Sequence, residues 1–169
     1  MLKIIGVILI AVSCSATGFF MNTSLRERHK ALKSFLSAFQ IIKAELVFRR
    51  APLPDIIGVL KNECPGVAAG FFTLISKEME SGQSFQSAFA KCSAKLHLYS
   101  LTRADEQALA PAMQAFGKYD AQGQAEIISG VIRRLEAEVQ GAEKLASEKG
   151  KLYKAVAVSA GIMLALIII

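Results

Sequence analysis

The residues able to do chemistry in this 169-residue chain are few and scattered. His29 and His97 are its two histidines. Neither has a second ligand three or four residues on, the spacing that a metal pair on a helix needs. His29 falls in a basic run and His97 at a helix end, where a surface or capping role is the ordinary one for an imidazole. The three cysteines, Cys14, Cys64 and Cys92, contain no C-x-x-C, and an odd number supplies no disulfide framework. A reducing cytosol suits them. Cys92 lies on an apolar face and reads as core. Glu78 and Glu80 are two apart on a helix and so do not face each other. Glu136 with Lys144, and Glu143 with Lys151, decorate a solvated face. The sequence holds no G-x-x-x-x-G-K-[ST], no G-x-S-x-G and no H-E-x-x-H. No catalytic residue, cofactor or metal ligand is assigned, and a membrane-anchored enzyme is the weaker of the readings below.

The stronger signal is where charge is missing. No charged side chain lies between Lys3 and Arg26, or after Lys154, so the two apolar stretches sit at the two ends. Ile4 to Met21 is 18 residues, or about 27 Å of helix against a hydrocarbon core of roughly 30 Å. Ala155 to Ile169 rises only about 22 Å, but Lys151 and Lys154 can snorkel and Tyr153 can anchor at the interface. A cleaved signal peptide is disfavoured, because the region before the apolar run is only Met1-Leu2-Lys3 and the basic cluster follows it. The faint lipoprotein-like box Ala11-Val12-Ser13-Cys14 has Ala where a larger aliphatic is usual. Residues 1–25 and 152–169 are therefore expected to be transmembrane helices, with a helical bundle over 26–151. Ala157, Gly161 and Ala165 form a small-x-x-x-small row able to admit a neighbouring helix.

The charge map sets the expected topology. Arg26, Arg28, His29, Lys30 and Lys33 follow the first stretch, and Lys144, Lys149, Lys151 and Lys154 precede the second. Basic residues beside spanning ends stay in the cytoplasm, so the middle domain is expected there and both termini on the far side. The same clusters could tether the chain to anionic lipid or nucleic acid. Topology determinants touching membrane lipid are the simpler account, and no nucleic acid is expected.

The elements between the stretches all read as helix, with no alternating strand pattern. Leu32, Phe35, Leu36, Phe39, Ile42 and Leu46 mark one face of a helix with no breaker from Arg26 to Arg50. Pro52 and Pro54 end it and open a short helix to about Cys64, closed by Pro65-Gly66. A third runs from Val67 to about Glu80 and stops at Ser81-Gly82, the glycine taking a left-handed cap. Ser84 caps a fourth, with Phe85, Ala88, Phe89, Cys92 and Leu96 inward. A turn is expected around His97-Leu98-Tyr99-Ser100. Thr102 with Asp105 makes a capping box for a fifth helix, in which Pro111 marks a kink or a late start, and Gly117 closes it. Asp120 caps the last helix, with the seam Ile128, Val131, Ile132, Leu135 and Val139, and nothing but Gly141 and Gly150 to bend it before the second stretch. The expected class is all-α, an antiparallel bundle of about six helices flanked by the two spans.

Several of these features together resemble a known family. They are Arg49-Arg50-Ala51-Pro52-Leu53, Ser81-Gly82-Gln83-Ser84 followed by Ala88, Phe116 through Gln124, and Lys151-Leu152-Tyr153-Lys154 before the apolar end. The chain is similar to the stage III sporulation protein AB family of endospore-forming bacteria over nearly its whole length. The spacing of Gly117, Asp120 and Gln124 is the most specific part. Phe116, where the family tends to have leucine, and Ala155-Val156-Ala157, where a Leu-Gly pair is common, depart from its pattern. That family is similar in turn to the cytoplasmic helical domains of type II secretion and type IV pilus platform proteins. The resemblance implies a non-enzymatic subunit of the channel joining mother cell to forespore, in the mother-cell membrane. Its implied partners are a cytoplasmic secretion-type ATPase and the other membrane proteins of the channel, and a homo-oligomer is compatible with such a role. Arg49, Arg50, Pro52, Gly82, Gly117, Asp120 and Gln124 are the candidate contact or turn residues. Asp120, Gly117 and Gln124 also have a plain structural reading, as cap, stop and buttress of one corner.

Overall fold

The structure, a computed structural model, describes residues 2–116 and 119–168. The side chains of residues 1–22, and most of those after residue 149, are outside the described set. Six α-helices follow one another: α1 (Leu2–Ala44), α2 (Leu53–Glu63), α3 (Val67–Glu80), α4 (Phe85–Ser93), α5 (Arg103–Ala115) and α6 (Ala121–Ile168). No strand occurs among the described residues. The chain divides into two compact units, one made of Glu27–Gln140 and one of the two ends, Met1–Arg26 with Gly141–Ile169.

The breaks between helices fall where the backbone chemistry puts them. Pro52 is extended and caps α2, with Pro54 in its first turn, where a missing N–H costs nothing. Gly82 takes a positive φ of 89° and, with Ser81, closes α3 through hydrogen bonds back to Met79 and Lys77. Ser84 caps α4 by accepting the Ser87 N–H. The capping box of α5 is complete: Thr102 Oγ1 accepts from the Asp105 N–H, and Asp105 accepts from the Thr102 N–H. Pro111 does not delay α5, which begins at Arg103 and contains it. The turn after α4 is a short 3-10 helix, Leu96–Tyr99, ended by Ser100 in the left-handed region. α6 holds helical conformation through Gly141 and Gly150.

Within the Glu27–Gln140 unit, α2 packs on α3, α3 on α4 and α4 on α5. The centre is aromatic. Phe71 of α3 meets Phe35 of α1 at 5.3 Å, Phe89 of α4 at 5.5 Å and its neighbour Phe72 at 5.4 Å, each edge to face. That geometry sets the positive ring edge against a negative ring face. Leu32, Phe35, Phe39 and Ile42 of α1 and Leu46 just beyond it are buried, as their spacing requires, whereas Leu36, expected on the same face, is half-buried; Ile128, Val131, Ile132, Leu135 and Val139 of α6 are buried.

Among the described residues no helix is long and apolar enough to cross a membrane. The two expected spans lie almost wholly where side chains are not described, and the row Ala157, Gly161 and Ala165 lies entirely there.

Candidate functional site

Two polar constructions hold this unit together, and neither is visible from local sequence. The first centres on Asp105, whose side chain is wholly buried. Arg28 of α1 grips it with two prongs, Nε to Oδ2 at 2.9 Å and Nη2 to Oδ1 at 2.6 Å. The same Nη2 donates to Glu138 Oε2 of α6 at 2.8 Å. Asp105 Oδ2 also accepts from the Thr102 N–H and hydroxyl, both at 2.8 Å. Burial alone would raise the Asp105 pKa, but the Arg28 and Thr102 hydrogen bonds and the Arg28 charge together hold it below the ordinary value. The Asp105 hydrogen bond in turn raises Arg28 against the desolvation that would lower it. Asp105 is thus both the cap of α5 and its tie to α1, while Arg28 joins α1 to α5 and α6.

The second construction is Ser34, a buried hydroxyl on α1. It donates to the Pro65 carbonyl and accepts the Ala68 N–H at 2.9 Å. It so fastens α1 to the turn between α2 and α3. Gly66 in that turn has φ +67°, and a Cβ there would sit 3.1 Å from Ser34 Oγ.

The corner between α1 and α2 has a different character. The helix ends in one π-helical turn, Glu45–Arg49, and Arg50 takes the left-handed region at φ 49°. The N–H groups of Arg50 and Ala51 both return to the Glu45 carbonyl. A wide turn and a left-handed arginine are sparsely populated conformations, the kind that cluster where function demands a fixed backbone. Leu46 in that turn is the last buried residue before the corner, and beyond it Val47 is 48 % and Phe48 85 % exposed. Arg49, 71 % exposed, pairs loosely with Glu45 at 3.3 Å. Arg50 is exposed and makes no ion pair among the described residues.

The other candidate contact residues are placed apart. Gly82 serves the α3–α4 turn. Asp120 Oδ1 accepts the Gly123 N–H at 3.0 Å and Gln124 Nε2 donates to the Tyr119 carbonyl at 2.9 Å, so both act as the cap and brace of α6. Gly117 lies outside the described residues. Among the described residues no hydrogen bond or ion pair joins Arg49 or Arg50 to Gly82, Asp120 or Gln124. Phe48 carries only a faint signal in the sequence: it stands two residues past Leu46, off the seam that spaces the buried face of α1.

The remaining reactive groups are held in structural settings. Cys64 and Cys92 are buried, and burial pushes the Cys64 thiol up to about 11. His97 Nδ1 lies 2.9 Å from the Ala94 carbonyl. His29 is half-buried, with Nδ1 unpartnered among the described residues. Glu78 pairs with Lys91 at 2.7 Å and Glu80 reaches Lys61 at 3.8 Å, so the two carboxylates serve different neighbours. A cleft of about 280 Å³ lined by Phe89, Ser93, Arg103, Glu106, Gln107 and Ala110 opens beside α4 and α5. Among the described residues no three His, Cys, Asp or Glu side chains gather as a metal site.

Comparison with known proteins agrees with this architecture. Residues 3–169 match the family profile described as Stage III sporulation protein AB. The Stage III sporulation protein AB of Bacillus subtilis (strain 168) is 25% identical over 170 residues, which cover 99% of each chain. A solved structure of a Stage III sporulation protein AB superposes with a TM-score of 0.63 at 21% identity, over 71% of this chain and 96% of that one. That likeness speaks to the fold.

Proposed function

The chain belongs to the stage III sporulation protein AB family, and from that premise we propose that it is a membrane-anchored, non-enzymatic platform subunit of a mother cell-to-forespore channel. Its helical unit faces the cytoplasm and docks the secretion-type ATPase of the same system. The observation that carries the reading is the pair of long helices. α1 and α6 each run, as one helix, between a charge-free apolar end and the Glu27–Gln140 unit, and the two ends belong to one compact unit of their own. A hairpin anchored at both ends has this form.

A basic tether for lipid or nucleic acid is less well supported. Arg28, one of its cluster, is committed to Asp105 and Glu138 and is not free to meet a phosphate. The platform reading is tested by single cysteines introduced near residues 1, 60 and 169, in a background with the native cysteines replaced. They are labelled in intact cells with a membrane-impermeant maleimide. The ends are expected to label from outside and the middle only after permeabilisation. Labelling of the middle from outside would overturn both the topology and the docking.

A further inference from the structure

We infer that Phe48 is the apolar anchor of a protein–protein contact, flanked by Arg49 and Arg50, and that its partner presents an apolar pocket rimmed by carboxylates. The inference rests on the docking reading and names the surface and the chemistry of the contact. Of the eight phenylalanines with described side chains, seven are buried and Phe48 alone stands 85 % exposed. Val47 beside it is 48 % exposed, a second apolar side chain open at the same turn. It is displayed on a backbone already fixed by the π-turn and by the two N–H bonds to the Glu45 carbonyl. A fixed backbone beneath the ring leaves less freedom to be lost on binding. Aromatic and arginine side chains are the ones that concentrate binding energy at interfaces.

Charge selects the partner. Arg50 is unpaired among the described residues, and Arg49, 71 % exposed though 3.3 Å from the mostly buried Glu45 carboxylate, still presents its guanidinium to solvent. Two guanidiniums beside one phenylalanine complement an acidic rim and repel a basic one. An anionic membrane would also attract such a surface. Binding flat on a membrane draws on a long apolar helix face, however, and past Leu46 only Val47 and Phe48 stand exposed at this corner.

The test uses the full chain in neutral phosphatidylcholine nanodiscs and the purified secretion-type ATPase, with affinity measured by calorimetry. Phe48→Ala is expected to weaken binding at least tenfold, and Arg49→Glu with Arg50→Glu to do so and to remove most of the salt dependence. Leu98→Ala, at a 70 % exposed side chain of the 3-10 turn, is expected to change nothing. Circular dichroism unchanged from the parent confirms that Phe48→Ala folds. Wild-type binding that Phe48→Ala leaves equal to Leu98→Ala overturns the anchor while the docking reading stands. No wild-type binding at all overturns docking and the anchor with it. Phe48-dependent co-flotation with separate phosphatidylglycerol vesicles, without ATPase binding that depends on Phe48, gives the surface to a membrane and overturns the inference.

Discussion

Replacing Arg28 by methionine tests the buried ion pair, and the expected cost can be bounded from the site. Asp105 is fully buried, and breaking such a pair at one partner typically costs about 3–5 kcal/mol. The variant has one escape: Asp105 can take up a proton. At pH 7, protonating a carboxyl of ordinary value 3.8 costs about 4 kcal/mol, and at pH 5 only about 1.6 kcal/mol. These set the ceilings on the penalty. Thr102 still donates to the carboxylate, so about 3 kcal/mol is expected at pH 7.

The sign of the pH dependence follows from the two proteins. In the parent the Asp105 pKa is lowered by folding, so its contribution is full above the unfolded value and is lost as pH falls through the folded one. In the Arg28→Met chain the folded value rises above the parent's, because the guanidinium's hydrogen bonds and charge no longer offset desolvation. Its penalty therefore grows as pH rises from the unfolded value. The gap between parent and variant is expected to widen from pH 5 to pH 7. Urea unfolding of the full chain in mild detergent, followed by far-ultraviolet circular dichroism, measures it. Lys30→Met, which removes the same charge at a 70 % exposed site on α1, is expected to cost under about 0.5 kcal/mol. A cost for Arg28→Met below about 1 kcal/mol at pH 7, or one that does not shrink at pH 5, refutes the reasoning.

Other perturbations follow from the same geometry. Ser34→Ala leaves the Ala68 N–H without its hydroxyl acceptor and is expected to lower stability by about 1–3 kcal/mol in urea titrations. Gly66→Ala must hold φ +67° and ψ −143°, a region nearly closed to side chains, with its Cβ 3.1 Å from Ser34 Oγ. A loss of about 1–3 kcal/mol is expected, and a neutral result would show that the turn relaxes. Cys64 and Cys92 should resist maleimide at pH 7 in a Cys14→Ser background until urea unfolds the chain, because both are buried and the Cys64 thiol titrates near 11. Asp120→Ala removes the cap of α6 and should cost about 1 kcal/mol, read as a lower melting temperature.

What could be read in the sequence was local. Pro52 and Pro54, Ser81-Gly82, Ser84 and the Thr102–Asp105 pair each restrict a few torsions or satisfy nearby N–H groups, so they placed helix ends without knowledge of the rest. The seam from Leu32 to Leu46 placed the buried face of α1 by periodicity alone. The candidate corner was legible only in part. Arg49, Arg50 and Pro52 marked it, but the exposure of Phe48 showed only as an apolar residue off the seam.

The sequence by itself determined that this is a chain of helices, where most of them stop, and that charge is absent at both ends, because those properties depend on neighbours within a turn or two. Only the tertiary structure decided the work of the charged residues. Arg28 reads locally as one member of a basic run, yet its partners are 77 and 110 residues away. Asp105 reads as a cap and is also the buried partner of Arg28, which in turn reaches α6. Such assignments depend on which helices meet and at what height, and no spacing along one helix records that.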